Sequence, residues 1–202
     1  MVCDPHHDLS GHRDGICQFR HRGDRELYFD KTSSGSQADQ GSRGGRCPAR
    51  LDLRALRGSH HHRREAVLDH LREMRERAQQ ALSCAYAPYS GFRVGACVRT
   101  KDGRLYGGAN VENASYGLSC CAERNALFAA YADGVRSEDI EALMLIGTGD
   151  GLLTPCGACR QVMAELMRPD APVIMADGAS YRIMRVCELL PYAFDKEDLN
   201  GI

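Results

Sequence analysis

Three cysteines and a glutamate carry the chemistry this sequence can perform. They fall in two short stretches, Cys121-Ala122-Glu123 and Pro155-Cys156-Gly157-Ala158-Cys159. Each follows loop-like text and opens what reads as a helix. In the second, Thr154 is the expected N-cap and Pro155 the first helical residue. Cys156 and Cys159 are then i and i+3 on one face of the first turn, where two thiolates can reach one ion. The free N–H groups and dipole of a helix N-terminus favour negative charge, and with it the thiolate that a metal requires. Cys120 stands beside Cys121 and raises the question of which one is the ligand. The spacing to Glu123 and the helix start favour Cys121, leaving Cys120 as a small buried residue.

A lone C-x-x-C is compatible with a redox pair or a structural metal as well as with a catalytic one. Three thiolates around one zinc leave the fourth tetrahedral position open, which marks a catalytic site. Zinc acidifies a water held there, and a nearby carboxylate must then move protons. Glu123, two residues beyond Cys121, is close enough to do so without being a ligand. All eight histidines lie at or before His70. Beyond it, metal binding falls to Cys or carboxylate, and acid–base work to Glu, Asp, Lys, Tyr or Cys. C-A-E followed by P-C-x-x-C, with 31 residues between Glu123 and Pro155, is the pattern of zinc-dependent deaminases in their three-cysteine form. It ranks a catalytic zinc above a structural zinc or a redox pair.

The elements that must position these residues follow from residue 64 onward. Val67, Leu68, Leu71, Met74, Ala78, Ala81 and Leu82 recur at helical spacing. "APYSGF" breaks that helix at Pro88 and Gly91. Val94, Ala96 and Val98 alternate into a strand, "KDG" makes a hairpin turn, and a second strand runs from Arg104 towards Val111. A helix from about Cys120 to Ala132, a buried strand "IEALMLIG", a helix after "TPCGAC", the strand "APVIMA", a turn "DGAS" and a strand near Tyr181 to Val186 follow. A short helical end closes the chain. The order α-β-β-α-β-α-β-β predicts an α/β fold: one mixed sheet of about five strands with helices on its faces.

Residues 1–65 differ in character. Gly, Ser, Arg, His and Asp dominate, as in "DKTSSGSQADQGSRGGR", and no apolar period is sustained; a disordered N-terminal extension is expected. The catalytic domain is expected over residues 66–202. That domain carries 14 Lys/Arg against 18 Asp/Glu. It lacks the basic excess of a polynucleotide binder, which favours a small, weakly charged substrate. No apolar run has the length of a membrane helix, and "MVCDPHHDLSGHRDG" lacks a signal peptide's apolar core. A cytoplasmic protein is expected, in which ten cysteines point to metal binding or buried thiols such as Cys84, Cys97 and Cys187.

Across most of residues 66–202 the sequence resembles the zinc-dependent cytidine deaminases that act on free nucleosides. The matching stretches are "AYAPYSGFRVGA", "GANVENASYGLSCCAERNALF", "TPCGACRQVMAEL" and "LLPYAFDKEDL", in the family's order. The resemblance implies a three-layer α-β-α domain around a mixed five-stranded sheet. It implies hydrolytic deamination of cytidine and deoxycytidine to uridine and deoxyuridine plus ammonia, in pyrimidine salvage. One Zn²⁺ per subunit would be held by Cys121, Cys156 and Cys159, with Glu123 as proton shuttle. Phe92 matches the aromatic residue at the base, and Asn110 and Glu112 match the residues that hold the ribose 3′-hydroxyl. Val111, Asn113, Ala114, Ser115, Tyr116 and Ala122 complete the substrate-binding set. Arg124 matches an arginine near the ligand sulfurs, where it would offset the negative charge of a three-thiolate site. Family members of this length class are usually homotetramers with sites at subunit interfaces, so the resemblance implies a homotetramer in which Phe194 would reach a neighbour's site. Blasticidin-type deaminases share the three-cysteine zinc site but would not be expected to carry the full "NVENASYG" segment. A polynucleotide cytosine deaminase would more often show His at position 121. A zinc-stabilised binding module without catalysis is disfavoured by Glu123 and Phe92.

Overall fold

Strand β3 (Val94–Thr100) is buried at every position, although Val94, Ala96 and Val98 by themselves read as a half-buried alternation. The reason is its place in the sheet. The computed structural model, which describes residues 16–19, 27–30, 60–149, 151–177 and 180–199, sets β3 between two partners and covers both its faces with helices. Its neighbours are β4 (Leu105–Ala109) and β5 (Ile140–Gly147), both antiparallel to it. Beyond β5 lie β6 (Pro172–Ala176), parallel to β5, and β7 (Tyr181–Arg185), antiparallel to β6.

These are the five expected strands. Two more extend the sheet past β7: β1 (Ile16–Phe19) and β2 (Leu27–Asp30), giving the order β1-β2-β7-β6-β5-β3-β4. Both belong to the segment expected to lack structure. Each is a short run of apolar and aromatic residues of the kind that pairs with an open strand edge. The rest of residues 1–59 lies outside the described residues.

The helices form the outer layers. Helix α1 (His60–Ser83) lies on one face, and α2 (Ala122–Ala132) and α3 (Gly157–Leu166) on the other. The side-chain period of two sorts the strands accordingly. Cys97, Met144 and Ile146 join Leu71, Met74 and Ala78 of α1. Ala96, Val98, Leu143 and Leu145 join Ala126, Leu127 and Met163 of α2 and α3. Val67 and Leu68 were expected on the buried stripe of α1 but are more than half exposed; the buried set starts at Leu71. Arg99 of β3 ties α1 to the sheet through ion pairs to Glu73 and Glu141, both at 2.8 Å. After β7 come two short helices, α4 (Val186–Leu189) and α5 (Lys196–Leu199).

The close approach of α2 to β4 needs a glycine. A Cβ on Gly108 would lie 2.3 Å from the backbone nitrogen of Ala126 and 2.4 Å from the carbonyl of Ala122. Asn125 then pins the contact by donating Nδ2–H to the Ala109 carbonyl at 2.7 Å. Gly108 and Asn125 thereby fix the start of α2 against the sheet.

Of the remaining cysteines, Cys97 is a buried free thiol, pushed up to about 12 by burial. Cys84 is exposed, because it follows the last turn of α1. Cys187, at the half-buried start of α4, is disulfide-bonded and is not the free thiol expected.

Candidate active site

Because β3 runs antiparallel to both neighbours, the C-terminal ends of β4 and β5 lie at one sheet edge with the N-terminal end of β3. Helices α2 and α3 both start there. In open α/β sheets this edge is the usual place for ligands. Cys121 and Cys156 are the N-cap residues of the two helices, in extended backbone conformation. Their carbonyls accept the first helical hydrogen bonds, from Asn125 (3.2 Å) and Arg160 (3.0 Å). The N-cap of α3 is therefore Cys156, two residues later than Thr154. Pro155 precedes the helix and is buried. Cys156 and Cys159 are the N-cap and third residues of α3, and still share one side of the turn.

The three sulfurs of Cys121, Cys156 and Cys159 all lie within 4.8 Å of one another, with 3.8 Å between Cys121 and Cys156. Ligands about 2.3 Å from a tetrahedral zinc must stand about 3.8 Å apart, so the separation fits that ion. The donor set fits as well. Cys159 is buried, Cys121 half-buried and Cys156 exposed, so the triad is open on one side. Without a cation, the crowded thiols cannot all ionise. Its hydrogen bond with Cys159 draws the Cys121 thiol down to about 5, and the same bond pushes Cys159 up. A dication lets all three be thiolates at once.

Arg124 supports this charge. Its Nη2 donates to the Ser119 carbonyl at 3.0 Å and approaches the Cys121 sulfur at 4.0 Å. Its Nε is buried without a hydrogen-bond partner. Glu123, the second residue of α2, is only 4% exposed. Burial, and secondarily the charge of Cys121, raises its carboxyl above the ordinary value. Cys120 makes a two-way backbone bridge with Val111, 2.9 Å in each direction. It is half-buried, not fully buried, and lies outside the triad.

Two adjoining cavities open beside the sulfurs. The smaller, about 220 Å³, is lined by Phe92, Asn110, Glu112, Cys121, Glu123 and Cys156, together with Ser90, Val94, Leu153 and Thr154. Val111 and Tyr116 line the larger, about 410 Å³, with Tyr89, Ser119 and Cys120. Asn113, Ala114, Ser115 and Phe194 line neither, and Ala122 is buried in the core. Asn113 instead shapes its own loop, accepting the Ser115 N–H through Oδ1 at 2.8 Å.

The ring of Phe92 sits on glycine. A Cβ on Gly149 would lie 2.8 Å from its Cε2. Asn110 fixes the backbone on either side of it: Oδ1 accepts the Val94 N–H at 2.8 Å and Nδ2 donates to the Phe92 carbonyl at 2.9 Å. Ser90 and Leu153 carry no site signal in the sequence, and Thr154 reads there as an N-cap and not as a lining residue. Ser90 lay inside the quoted "APYSGF", but a serine in a Pro/Gly loop reads as turn chemistry.

Comparisons with known proteins agree with this geometry. Residues 69–175 match the family described as the cytidine and deoxycytidylate deaminase zinc-binding region. The chain is 50% identical over 124 residues to a cytidine deaminase of Halalkalibacterium halodurans, covering 61% of this chain and 92% of that one. It is 41% identical over 130 residues to a cytidine deaminase of Mycobacterium tuberculosis, covering 62% of this chain and 90% of the relative. Among solved structures, cytidine deaminase from Burkholderia pseudomallei superposes with a TM-score of 0.57 at 46% identity, over 61% of this chain and 98% of that one.

Proposed function

As this chain belongs to the cytidine and deoxycytidylate deaminase family, we propose that it hydrolyses the exocyclic C–N bond of cytidine and deoxycytidine, giving uridine or deoxyuridine and ammonia in pyrimidine salvage. The observation that carries the reading is the buried carboxyl of Glu123 in a cavity that also holds Cys121, Cys156 and Phe92.

Cys121, Cys156 and Cys159 would hold the zinc through their sulfurs. When bound, zinc supplies Lewis-acid chemistry, bringing the pKa of a coordinated water towards neutrality. Glu123 accepts a proton from the attacking water and passes it to N3 of the cytosine ring. As the oxygen adds to C4, the ring loses its aromatic conjugation. Glu123 then takes the proton of the new C4 hydroxyl and gives it to the exocyclic nitrogen; the C4–N bond breaks as the C4 carbonyl forms, and ammonia leaves. Water and cytidine are thus accounted for as uridine and ammonia. Burial suits Glu123 to this task, because a raised pKa lets one carboxyl both accept and donate near neutral pH. Arg124 disperses the negative charge of the three thiolates. Phe92 packs on the base, and Asn110 and Glu112 address the sugar, with Asn110 also fixing Phe92.

No Lys or Arg is among the residues lining either cavity. That favours an unphosphorylated nucleoside over a nucleotide and over a nucleic-acid strand. Tyr86, Tyr89, Val111, Tyr116 and Leu118 are each about half exposed or more around the larger cavity. A homotetramer would cover this apolar surface, and Phe194, which is 59% exposed, would reach a neighbour's site in it. No helix among the described residues is long and apolar enough to cross a membrane, and a cytoplasmic enzyme is the reading that fits a salvage nucleoside. We place the catalytic unit at residues 66–202, with its first helix α1 beginning earlier, at His60. The test is to assay the purified chain on cytidine and on deoxycytidine 5′-monophosphate. Turnover of the nucleoside alone supports the reading; preference for the monophosphate overturns it.

A further inference from the structure

Glu112 and Ser90 lie on different segments, 22 residues apart. Ser90 belongs to the loop between α1 and β3, and Glu112 to the segment after β4. One oxygen of the Glu112 carboxylate, Oε2, accepts two backbone N–H groups, from Tyr89 at 2.9 Å and Ser90 at 3.2 Å. The other, Oε1, accepts the Ser90 hydroxyl. A carboxylate has about four acceptor positions; three are taken here, and the one left is on Oε1. Its direction is set by where the Ser90 hydroxyl sits. That hydroxyl is itself fixed, because its oxygen accepts the Phe92 N–H at 3.0 Å. Ser90 also stands where the two cavities meet, lining both along with Asn110, Glu112 and Cys121.

We propose that Ser90 is a positioning residue that aims the remaining acceptor position of Glu112 at the 3′-hydroxyl of the nucleoside sugar. The inference rests on the sugar-binding role proposed for Glu112 above. The Ser90 hydroxyl leaves Glu112 a single direction in which to accept from substrate, and ties that direction to the backbone of the residue packing on the base. Sugar and base are then held in one register. The same bond, and next to it the Tyr89 N–H, holds the Glu112 carboxyl below the ordinary carboxylate value, so it stays a charged acceptor. Without the hydroxyl, Oε1 loses its donor and the Phe92 N–H its acceptor, while Oε2 keeps both backbone bonds. The carboxylate remains in place but is no longer aimed.

The experiment compares the wild-type chain with Ser90→Ala and Ser90→Thr, using cytidine and 3′-deoxycytidine as substrates. Ser90→Ala is expected to raise KM for cytidine roughly tenfold, the usual cost of a hydrogen bond to a charged group. Its kcat should stay within about twofold of wild type, because the loss is of binding shared by ground and transition states. Zinc content should be unchanged. Ser90→Thr, which keeps the hydroxyl, should recover the wild-type KM. On 3′-deoxycytidine, wild type and Ser90→Ala should share one KM. An unchanged KM for cytidine in Ser90→Ala overturns the proposal, as does an equal rise on both substrates, which would mark a general disturbance of the loop. A wild-type enzyme with the same KM for both substrates would remove the sugar role of Glu112 itself. One that deaminates neither would remove the deaminase reading.

Discussion

The sulfurs of Cys121 and Cys156 stand 3.8 Å apart across 35 residues of sequence, the spacing that two ligands of one tetrahedral zinc require. Each is the N-cap of its helix, so the fold delivers two helix N-termini to one point. Cys121→Ala should therefore abolish stoichiometric zinc, while Cys120→Ala should keep it. Metal analysis of the two purified variants decides the register. Zinc loss from Cys120→Ala with retention in Cys121→Ala would shift the site by one residue.

Gly108 is where the placement of Cys121 meets packing. An added Cβ would strike the backbone of Ala122 and Ala126, which cannot yield as a flexible side-chain end can. Gly108→Ala should cost about 1–3 kcal/mol or more, as overpacking does, and should lower zinc occupancy because it displaces the start of α2. Denaturant unfolding with metal analysis on the same sample checks both effects. Wild-type stability would show that α2 does not depend on this approach.

That packing also shows what the sequence could and could not reveal. The cysteine triad was legible because a metal needs particular residue types at particular spacings, and Cys121, Cys156 and Cys159 keep them. The five strands β3 to β7 were legible from period and turn signals. The full burial of β3 was not, because whether a strand is covered on one face or two depends on its sheet position. Thr154 looked the better N-cap by side-chain chemistry, but the helix starts at Gly157 with Cys156 as its cap. Ser90 was invisible for a related reason: its partner Glu112 comes from a segment that only folding brings near.

Arg124 reaches the Cys121 sulfur with one nitrogen and the Ser119 carbonyl with the same group. Arg124→Gln should weaken zinc affinity or activity by about 10–100-fold, the usual effect of losing a partner of a metal ligand. Competition with a calibrated chelator measures the affinity. A variant equal to wild type in both affinity and rate would refute the tuning role.

Removing zinc with a chelator should abolish turnover while leaving most secondary structure in place. The two faces of the sheet are packed by Leu, Ile, Val, Met and Ala side chains far outnumbering the ligands. Far-ultraviolet circular dichroism before and after chelation, and activity after zinc is returned, check this. Collapse of the spectrum would make the zinc structural as well as catalytic. Acidification should promote the same loss, since protons compete with the metal for thiolates.

In the proposed reaction one buried carboxyl, Glu123, carries every proton. Wild type and Glu123→Gln, each shown to hold one zinc per chain, should be followed on cytidine for uridine and ammonia together. Wild type should give equimolar products, and the variant a kcat lower by about 10²–10⁴-fold or more, the scale of a lost general acid–base group. Turnover near wild type in zinc-loaded Glu123→Gln, or no ammonia from the zinc-loaded wild type, would contradict the proposed reaction.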